Sequence, residues 1–528
     1  MKKALFNYDS NENMYIADDL ISYTDGSEKF FIDLFSSAGL ADIDDETALT
    51  PHIKDWPTRY HLSPERINVI RPFFELLNAA GNVLEIGAGM GAITRWLGKK
   101  FAHVDCIEGN INRAKALRAR TRDIGNVDVY AGNAMKANLN DNEYNLATLI
   151  GVLEYIPYYS SSTPEASVVD FLRNINKTLA DDGILIISIE NKFGLKYLSG
   201  CVEDHNETLF SGIMDYPFKS ALTFGRNELE SLIEKAGFKN IQFYHAYPDY
   251  KMPLSVFREC DDIYNLNPDI FWPEQIRDNV PRTNLFFEPL AIESMFKERM
   301  VHYFSNSFIV LCSKSESVNL KTDWIFKKWS KAEIKPCYRL SVAIFPDKNE
   351  GYRVERKRLN DLKDDNVHFS MNLITNRKYL HGSPLIFEAY KSLMAKDEYK
   401  RFITLLLEIK LELMKNSIGK DHDGFHFVDG RFFDFTFWNL IRKNGKLVYF
   451  DNKWICKYAL PVDYIMLRNV YYLLYRCADY KVVDDPNEFF RTTMFFLFPE
   501  FNQNRLTYLI ELENNLTSNL QVVIDCTG

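Results

Sequence analysis

Short apolar runs alternate with amphipathic segments between residues 60 and 315, and this alternation limits the possible folds more than any other feature of the chain. Helical spacing is clear in NRAKALRARTRDI (112–124) and VVDFLRNINKTLADDG (168–183). Strands that are apolar throughout and alternate with helices are typical of a parallel sheet covered on both faces. The sequence therefore predicts a doubly wound α/β domain with a mostly parallel, seven-stranded sheet. The seven predicted strands are VLEI (83–86), HVDCIE (103–108), VDVYAG (127–132), the apolar part of YNLATLIGVLEYI (144–156), ILIISIE (184–190), IQFYHAY (241–247) and SFIVLCSK (307–314).

Polar stretches on either side of this pattern suggest where the chain divides. Residues 1–59 are polar and acidic, and they are predicted to form a leader or cap that includes the acids Asp42, Asp44, Asp45 and Glu46. Residues 60–315 form the α/β domain, and the polar residues 316–335 are predicted to be a linker. Residues 336–528 have an α+β pattern, with short strands, two helices at about 384–416, a hairpin turn at Asn444–Gly445, and helices at 461–481 and 504–521.

The composition excludes several classes of protein. The 528 residues include 63 Lys and Arg against 72 Asp and Glu, a net charge of −9, which argues against a nucleic-acid partner. The eight cysteines include no CxxC pair, a pattern typical of reduced core residues. The N-terminus lacks the apolar core of a signal peptide, and no apolar run reaches about eighteen residues, so we expect a cytoplasmic protein without a membrane span. Peripheral membrane association and the oligomeric state stay open.

A glycine-rich loop follows the first predicted strand. In VLEIGAGMGAITRWL, Gly87, Gly89 and Gly91 stand between that strand and a helix. Glycines at such a turn let the backbone approach a ligand closely. The spacing Gly87-x-Gly89-x-x-Ala92 also satisfies a dinucleotide-binding pattern, so a nicotinamide dehydrogenase and a tight turn without a ligand are the alternatives at this point.

Further features accompany this loop along the chain. Glu108 ends the second strand, Asn133 follows the third, Glu154 and Tyr155 follow the fourth, and Gly183 precedes the fifth. Together with the loop, these features resemble the class I S-adenosylmethionine-dependent methyltransferases, whose sheet is Rossmann-like. The resemblance covers about residues 60–315.

The resemblance implies a role for each of these residues. In this family the glycine loop wraps the methionine part of S-adenosyl-L-methionine, the acid after strand two holds the ribose, and a polar residue after strand three contacts the adenine. Asn133 and Asn145 stand where the family commonly has Asp, but both still offer hydrogen bonds, so we expect the cofactor to bind. The residues that the resemblance assigns to the cofactor are Glu85, Gly87, Gly89, Gly91, Glu108 and Asn133.

Residues 190–210 follow strand five, where this fold forms the pocket for the methyl acceptor. Asp204 and His205 are adjacent there, beside Glu203, and are predicted to act as a catalytic base. Lys192 at the tip of the strand would attract an anionic acceptor. The alternative for all these charged residues is that they form a solvated loop without a catalytic role. Tyr60 and His61, in the segment before strand one, either cover the cofactor or pack as part of an N-terminal helix, and packing is favoured.

A second cluster of polar residues lies in DGRFFDFTFWNLIRKNGKLVYFDNKW (429–454). Asn439 follows Asp434 by five residues, and Asp451 follows Asn439 by twelve, beyond the predicted hairpin turn. The catalytic loop of kinases has the spacing D-x-x-x-x-N, and a metal-binding Asp follows on the next hairpin. One carboxylate there orients the attacking hydroxyl, while the Asn and the second Asp hold Mg²⁺ on the triphosphate.

This region resembles the atypical kinases of the aminoglycoside and sugar-kinase type. The resemblance implies that Asp434 is the catalytic residue, that Asn439 and Asp451 are ligands of Mg²⁺, and that Lys357 in YRVERKRL pairs with the phosphates of ATP. The glutamate partner of that lysine is not identified, and the candidates are Asp364, Asp365 and Glu388.

The second region also departs from the kinase pattern. Phe432 and Phe433 replace the His-Arg pair before the catalytic Asp, and Asn452 follows the metal-binding Asp where Phe-Gly is usual. FPDKNEG (345–351) would have to replace the glycine-rich loop. A kinase-like fold without activity is therefore the alternative.

The order of the two regions is similar in layout to bacterial O-antigen methyltransferase–kinases, which phosphorylate a terminal sugar and then methylate the phosphate. This resemblance implies a bifunctional enzyme of polysaccharide biosynthesis that modifies a surface glycan or its phosphorylated terminus. Two alternatives stay open: a methyltransferase of a sugar or small molecule with an inactive kinase-like module that binds substrate, and a scaffold without catalysis.

Overall fold

The computed structural model of the protein describes residues 6–39, 46–271, 282–362, 368–373, 376–395 and 399–521. The strands are β1 Asn7–Asp9, β2 Met14–Ile16, β3 Asn82–Ile86, β4 His103–Glu108, β5 Val127–Ala131, β6 Tyr144–Ile150, β7 Leu179–Glu190, β8 Asn240–Tyr247, β9 Ser255–Arg258, β10 Ser307–Ser313, β11 Phe326–Trp329, β12 Leu340–Asp347, β13 Gly351–Arg358, β14 Phe369–Met371, β15 Arg377–Lys378, β16 Ser383–Pro384, β17 Ser417–Lys420, β18 His426–Val428, β19 Leu440–Lys443, β20 Lys446–Tyr449, β21 Trp454–Cys456 and β22 Leu460–Pro461. The helices are α1 Glu28–Ser37, α2 Glu46–Leu49, α3 Trp56–Leu62, α4 Thr94–Lys100, α5 Ile111–Arg120, α6 Ile156–Tyr159, α7 Pro164–Thr178, α8 Leu195–Leu198, α9 Arg226–Lys235, α10 Glu288–Lys297, α11 Val301–Phe304, α12 Leu385–Met394, α13 Tyr399–Lys415, α14 Val462–Cys477, α15 Pro486–Leu497 and α16 Gln503–Ser518. Some residues named in the sequence analysis lie outside the described ranges: Asp42, Asp44, Asp45, Asp364 and Asp365.

One large sheet runs through most of the molecule. Among the described residues it has fourteen strands, in the order β1-β2-β5-β4-β3-β6-β7-β10-β8-β9-β11-β12-β13-β15. The seven predicted strands form the contiguous block β5-β4-β3-β6-β7-β10-β8 within it. Neighbours from β5 to β7 pair in parallel, whereas β10 is antiparallel to both β7 and β8. The predicted doubly wound, mostly parallel core is therefore confirmed.

The extent of the sheet differs from the prediction of seven strands. The hairpin β1-β2 adds to one edge, where β2 pairs in parallel with β5. At the other edge β8 turns back into β9, and β11, β12, β13 and β15 continue the ladder with antiparallel pairs. Unpaired backbone groups at a sheet edge favour the addition of further strands. Strands β12 and β13 correspond to the strands predicted at the start of the second region, but the sequence does not show that they continue the α/β sheet, because that pairing joins distant parts of the chain.

Helices cover both faces of the central block. On one face, Val168, Leu172 and Ile175 of α7 pack with residues of α9 against the sheet. On the other, Leu97 of α4 and Leu117 of α5 bury their side chains with the opposite faces of the same strands. Helix α7 begins at Pro164, after an N-cap in which the Thr163 hydroxyl accepts a hydrogen bond from a backbone N–H. The two apolar layers explain why these strands have no polar face.

The segment predicted as a linker, residues 316–335, contains buried structure. Trp324 and Trp329 are buried in the core that Phe73 and Tyr244 share, and strand β11 lies within the segment. The polar residues around these two tryptophans dominate the composition and conceal the strand. Because β11 is hydrogen-bonded to both β9 and β12, the α/β sheet and the following region share backbone hydrogen bonds. The division of the chain into domains at these residues stays a prediction.

The second region combines small sheets with a helical core. The predicted helices are present as α12, α13, α14 and α16, and the predicted hairpin is β19-β20 with positive φ at Asn444 and Gly445. Helix α15 was not predicted. The helices share a core of aromatic and aliphatic residues that include Phe402, Leu406 and Ile465. Most of the aromatic residues of this region are therefore explained by packing. Within the described part of the chain, no helix has both the length and the apolar character that crossing a membrane requires.

We predict that the segment 316–335 contributes to stability as part of a core. Replacing Trp324, which is 3% exposed and packs beside Phe73 and Tyr244, with Ala should lower the free energy of unfolding by about 3–5 kcal/mol, because a large buried ring leaves a cavity. Urea unfolding followed by fluorescence and circular dichroism measures the change. The matched control Lys321→Ala, at an exposed position of the same segment, should change stability by less than about 0.5 kcal/mol. Equal effects of the two variants would contradict this account.

Candidate functional site

A cavity of about 440 Å³, here called the first cavity, lies where β3, β4, β5, β6 and β7 end. In an open parallel sheet, ligands bind beyond the carboxyl ends of the strands. The described lining includes seven Asp and Glu side chains but three Lys and Arg side chains, so its walls are acidic. The acidic residues are Asp25, Glu108, Glu154, Glu190, Glu203, Asp204 and Glu207.

The glycine loop forms one wall of this cavity. Gly87, Gly89 and Gly91 all have positive φ, a conformation that L side chains rarely adopt. A Cβ atom at Gly87 would lie 2.3 Å from Val152 Cγ2, and one at Gly91 would lie 2.8 Å from Leu117 Cδ1. The chain can therefore follow this path only with glycine at these positions. Gly87 lines the first cavity, whereas Gly89 and Gly91 determine the shape of the loop behind it.

The two acids assigned to the cofactor occupy different environments. Glu108, at the end of β4, lines the cavity and accepts hydrogen bonds from the backbone N–H groups of Gly89 at 2.8 Å and Asn110 at 3.0 Å. Glu85 is buried within β3 beneath the loop, and burial raises its pKa to about 8. Asn133 lines the cavity after β5, where its side-chain oxygen accepts a hydrogen bond from the backbone N–H of Met135. Glu108 and Asn133 therefore face the space that a cofactor would occupy, whereas Glu85 is not among the described lining residues.

The N-terminal segment covers the cavity. Backbone hydrogen bonds join Ile21 to Gly109 and Asn133 to Asp19, so residues 17–25 cross the ends of β4 and β5. The Asp25 carboxylate lies 3.1 Å from His61 Nε2 and 3.2 Å from a guanidinium nitrogen of Arg113. Helix α3, which carries His61, lines the cavity and also packs through Leu62 with Phe31 and Phe35, so the geometry agrees with both alternatives for this segment.

That covering also places aromatic residues and a neutral histidine on the cavity wall. Tyr60 and His61 both line the first cavity, together with Tyr23. Burial lowers the pKa of His61 to about 4, and the nearby Arg113 contributes to this shift.

A group of charged side chains lies on the opposite side of the first cavity, at the ends of β6 and β7. The ring Nδ1–H of His205 donates to Glu203 Oε1 at 2.8 Å, and Nε2 lies 3.9 Å from Glu154 Oε1. Burial alone would lower the pKa of His205, but its contacts with Glu154 and Glu203 and the charge of Glu190 raise it to about 10. His205 is therefore a cation near neutral pH and not a proton acceptor.

Asp204 does not pair with His205, contrary to the sequence-based expectation. Its carboxylate accepts hydrogen bonds from the Lys196 ammonium at 2.6 Å and from the Tyr197 hydroxyl, and Lys251 Nζ lies 3.4 Å away. Burial alone would raise the pKa of Asp204, but the charges of the two lysines more than offset this effect. The pKa of this carboxyl therefore lies well below its usual range, and the group is ionised near neutral pH. The neighbours in sequence contact different partners because the turn points their side chains apart.

Two buried carboxylates in this group keep oxygens without hydrogen bonds. Glu154 is 1% exposed and Glu190 is 0% exposed, and Oε2 of each has no hydrogen-bond partner among the described residues. Burial raises the pKa of Glu154, and the charge of Glu190 adds to this effect. Lys251 Nζ lies 2.6 Å from Glu190 Oε1 and stabilises its charge. Although ligand atoms of Glu154, Glu190 and His205 lie within 4.8 Å of one another, the lysine and the charged imidazole disfavour a metal ion there.

Lys192, which we expected to attract an anionic acceptor, does not line the first cavity. Its ammonium pairs with Asp215 at 2.7 Å and Glu228 at 2.8 Å. These two acids satisfy its charge away from the cavity wall. The cations that line this part of the cavity are Lys251, Arg282 and the protonated His205, and the sequence offered no recognisable motif for Lys251.

A second cavity, of about 410 Å³, lies between the extended sheet and the helices of the second region. Tyr247 and Pro248, at the end of β8, line this second cavity, and Tyr250 and Lys251, a few residues later, line the first. The described lining of the second cavity includes seven Lys and Arg side chains and two Asp side chains. The two cavities therefore have opposite charge.

The residues predicted from the kinase resemblance reach the second cavity only in part. Asn439 and Asp451 line it, whereas Asp434 is not among its described lining residues and lies 3.4 Å from a guanidinium nitrogen of Arg468. Lys357 points away, with a side chain that is 72% exposed and an ammonium 3.2 Å from Glu355. The cation of strand β13 at this cavity is instead the adjacent Arg356, because successive side chains of a strand point to opposite faces. Lys357 is therefore not placed to pair with a phosphate in this cavity.

The two side chains proposed as Mg²⁺ ligands already have other contacts, and for Asp451 these are made by the carboxylate oxygens. The side-chain amide of Asn439 donates to the backbone carbonyl of Asp434 at 2.9 Å. Asp451 Oδ1 accepts a hydrogen bond from Arg356 at 2.7 Å, and Lys328 Nζ lies 3.9 Å from Oδ2. Mg²⁺ requires near-octahedral oxygen ligands, and cations at these oxygens would repel it. The residues as arranged do not fit this metal.

None of the three acids considered as the partner of Lys357 is found at the second cavity among the described residues. Glu388 forms an ion pair with Arg442 and takes no part in the second cavity. Asp364 and Asp365 lie outside the described residues.

Comparisons with known proteins identify the first region. Residues 59–243 match the model of a family described as a methyltransferase domain. The matched residues carry the glycine loop, Glu108 and Asn133, and solved structures named as S-adenosylmethionine-dependent methyltransferases are among those similar to this chain. No curated protein matches the chain.

Three solved structures illustrate the similarity. An S-adenosylmethionine-dependent methyltransferase of Thermotoga maritima, named as a possible histamine N-methyltransferase, is 16% identical, over 48% of this chain and 91% of its own, with a TM-score of 0.28. Phosphoethanolamine N-methyltransferase 2 of Haemonchus contortus, in complex with S-adenosyl-L-methionine, is 13% identical over 57% and 62%, with a TM-score of 0.31. A methyltransferase of Archaeoglobus fulgidus is 12% identical over 48% and 96%, with a TM-score of 0.31.

The pKa values of the two histidines of the first cavity should be shifted in opposite directions from the ordinary value of histidine. We predict that His205 stays protonated until pH approaches about 10 and that His61 stays neutral until pH falls towards about 4, because carboxylates surround the first and burial dominates the second. NMR of ¹⁵N-labelled histidine rings measures both values. Glu203→Gln should lower the pKa of His205 by at least about one unit and leave that of His61 unchanged.

The same pKa shifts make the folding stability depend on pH, in opposite directions for the two histidines. The contribution of His205 is complete below its unfolded pKa, near 6.5, and is lost as pH rises through about 10. The contribution of neutral His61 is complete above about 6.5 and is lost as pH falls through about 4. A pKa of His205 near 6.5 would contradict the described contacts.

Proposed function

We propose that this chain is an S-adenosylmethionine-dependent methyltransferase whose first cavity holds both the cofactor and the methyl acceptor. The observation that carries the proposal is the glycine loop with three positive-φ glycines at the mouth of an acidic cavity, within residues that match a methyltransferase family. Glu108 and Asn133 face the same space from the ends of the next two strands. The cavity, of about 440 Å³, also leaves room beyond the loop for a second ligand.

The residues present fit S-adenosyl-L-methionine in position and chemistry. Gly87 presents backbone rather than a side chain at the cavity wall, Glu108 offers a carboxylate for ribose hydroxyls, and Asn133 offers an amide on the side proposed for the adenine. When bound, the cofactor supplies a methyl group on a positively charged sulfur, which is a good leaving group. Tyr23 of the N-terminal segment and Tyr60 line the same cavity, where they would shield a bound cofactor from water.

We further propose that Glu154 accepts the proton of the attacking group. The Glu154 carboxylate is buried at the end of β6, its Oε2 has no hydrogen-bond partner among the described residues, and burial raises its pKa. A carboxylate with these properties takes up a proton more readily near neutral pH than an exposed one. His205, 3.9 Å away and charged, would orient Glu154 and does not act as the base. This assignment replaces the pair of Asp204 and His205 expected from the sequence.

The charge of the cavity supports a hydroxyl or an amine as the acceptor. Glu154, Glu190 and Glu203 are buried around the space beyond the cofactor, and Lys192 does not reach it. A phosphate there would meet carboxylates of its own sign, which raises the free energy of binding. A sugar hydroxyl or amino group of a surface glycan, or a small molecule with such a group, therefore agrees better with this site than a phosphorylated terminus.

Phosphoryl transfer from ATP is a second candidate function, located at the second cavity. The observation that favours it is the position of Asn439 and Asp451 on one wall of a strongly cationic cavity. Against it stand the contact of Asp434 with Arg468, the outward direction of Lys357 and the misfit of Mg²⁺ described above. The alternative from sequence, a second region that binds substrate without phosphorylating it, agrees with the same observations.

Cofactor binding should depend on the glycine loop. We predict that calorimetry detects binding of S-adenosyl-L-methionine to the wild type and that Gly89→Asp weakens this binding by at least about tenfold. The φ of +57° at this position strains any residue with a side chain, and a second carboxylate beside Glu108 adds repulsion within the loop. The matched control Gly125→Asp, at an open surface turn, should change the affinity by less than about twofold. Absence of binding to the wild type, or binding that NADH displaces, would overturn the proposal.

Methyl transfer should depend on Glu154. We predict that Glu154→Gln lowers kcat by about 10²–10⁴, because the proton acceptor is lost, and leaves the affinity for S-adenosyl-L-methionine within about twofold. Formation of S-adenosylhomocysteine is measured across sugars that differ in one hydroxyl, amino or phosphate group. The surface variant Glu165→Gln should behave as the wild type. A preference for the phosphorylated sugars would contradict the assignment of the acceptor.

The second candidate function, phosphoryl transfer from ATP, can be tested separately at the second cavity. If it occurs, labelled phosphate passes from ATP to a sugar in the presence of Mg²⁺, and Asp451→Asn lowers the rate by at least about 100-fold while the exposed variant Asp423→Asn does not. A wild type that transfers no label to any sugar of the same panel would favour the substrate-binding alternative.

A further inference from the structure

The second cavity has an excess of positive charge that its own acids do not neutralise. Seven Lys and Arg side chains line its described walls, against Asp269 and Asp451. Burial raises the pKa of Asp269 to about 6, so this carboxyl is still mostly ionised near neutral pH, and burial lowers the pKa of Lys328. Cations that share a poorly solvated cavity repel one another unless an anion lies between them.

Four of these cations surround a single carboxylate. Lys328 comes from β11, Arg356 from β13, Arg377 from β15, and Lys453 from the segment that follows Asp451. Arg356 is 2.7 Å from Asp451, and Lys328 is 3.9 Å from it. Burial opposes the ionisation of Asp451, and these four cations more than offset it, so its pKa lies below the ordinary value.

One carboxylate can pair fully with only one or two of four cations. The planar guanidinium of Arg356 is 7% exposed and donates through one nitrogen to Asp451, and its fork matches the oxygens of a phosphate as well as those of a carboxylate. Of the other three cations, Lys328 and Arg377 come from strands of the extended sheet, and Lys453 comes from the segment that follows Asp451. The arrangement therefore has the charge and the donors that a phosphate group requires.

We propose that the second cavity binds a phosphate-bearing ligand directly on Lys and Arg side chains, without a divalent metal. The metal is not needed because the side chains supply the positive charge, and it is disfavoured because Arg356 and Lys328 already lie at the Asp451 carboxylate. The described lining also includes Trp329, Ile344 and Phe450, which offer apolar surface to the rest of such a ligand. This proposal is independent of methyl transfer in the first cavity.

Strand β13 offers a matched pair of variants for the test. Arg356 and Lys357 are adjacent cations, but Arg356 lines the cavity and Lys357 is exposed on the other side of the strand. Replacement of either by Gln removes the same charge from the chain. Only the first removes it from the cavity, so a general effect of net charge and a specific effect at the site can be separated.

The experiment is calorimetry on the full chain with three probes, each in EDTA and in Mg²⁺: pyrophosphate, ATP and glucose 1-phosphate. We expect at least one probe to bind in EDTA, with an affinity that Arg356→Gln lowers by about tenfold or more and that Lys357→Gln leaves within about twofold. ATP binding alone would identify a nucleotide, glucose 1-phosphate binding alone a sugar phosphate, and binding of pyrophosphate as well would identify the phosphates as the recognised group.

Three results would overturn the proposal: no binding of any probe in EDTA, binding that appears only with Mg²⁺, and equal losses in Arg356→Gln and Lys357→Gln. Binding that needs Mg²⁺ would favour phosphoryl transfer instead. Circular dichroism and the melting temperature establish whether Arg356→Gln is folded. If it is not, the half-buried Arg377 replaced by Gln provides the same comparison with Lys357→Gln.

Discussion

The backbone hydrogen bonds of one continuous sheet are the constraint on which the rest of the structure depends. They run from the N-terminal hairpin, through the parallel strands, to β15 in the second region. Parallel strands bring the loops that follow them to one edge, and this alone assembles the glycine loop, Glu108, Asn133 and Glu154 around a common space. The antiparallel extension brings Lys328, Arg356 and Arg377 together in the same way. Each cavity is thus a consequence of strand order, and its chemistry depends on which residue stands at each strand end.

Charge divides the molecule more sharply than the overall composition suggests. A net charge of −9 over 528 residues describes a mildly acidic protein, yet one cavity is lined mainly by carboxylates and the other mainly by Lys and Arg. Burial strengthens the electrostatic effect of both linings, because charges interact more strongly where water is excluded. The separation gives each cavity a preference for ligands of opposite sign, so one chain can hold a cationic group and an anionic group at once.

The sequence predicted those parts of the structure that follow from local pattern. Seven apolar strands, the positive-φ loop at Gly87 and the hairpin at Asn444 each depend on residues close in the chain, and all are present. Contacts between distant residues were not predictable in the same way. His205 was expected to pair with its neighbour Asp204, but its partners are Glu203 and Glu154, the latter on another strand end. Lys357 was chosen over Arg356 because a motif does not determine which face of a strand meets a cavity.

The turn after β8 joins the two cavities, since Tyr247 and Pro248 line one and Tyr250 and Lys251 line the other. These residues span only about 15 Å of chain at most, and Lys251 is held by Glu190 and Asp204. A ligand that displaces the turn in one cavity therefore changes the wall of the other. Thermodynamic linkage makes any such influence mutual: the factor by which one occupant alters the affinity for the second equals the factor in the reverse direction.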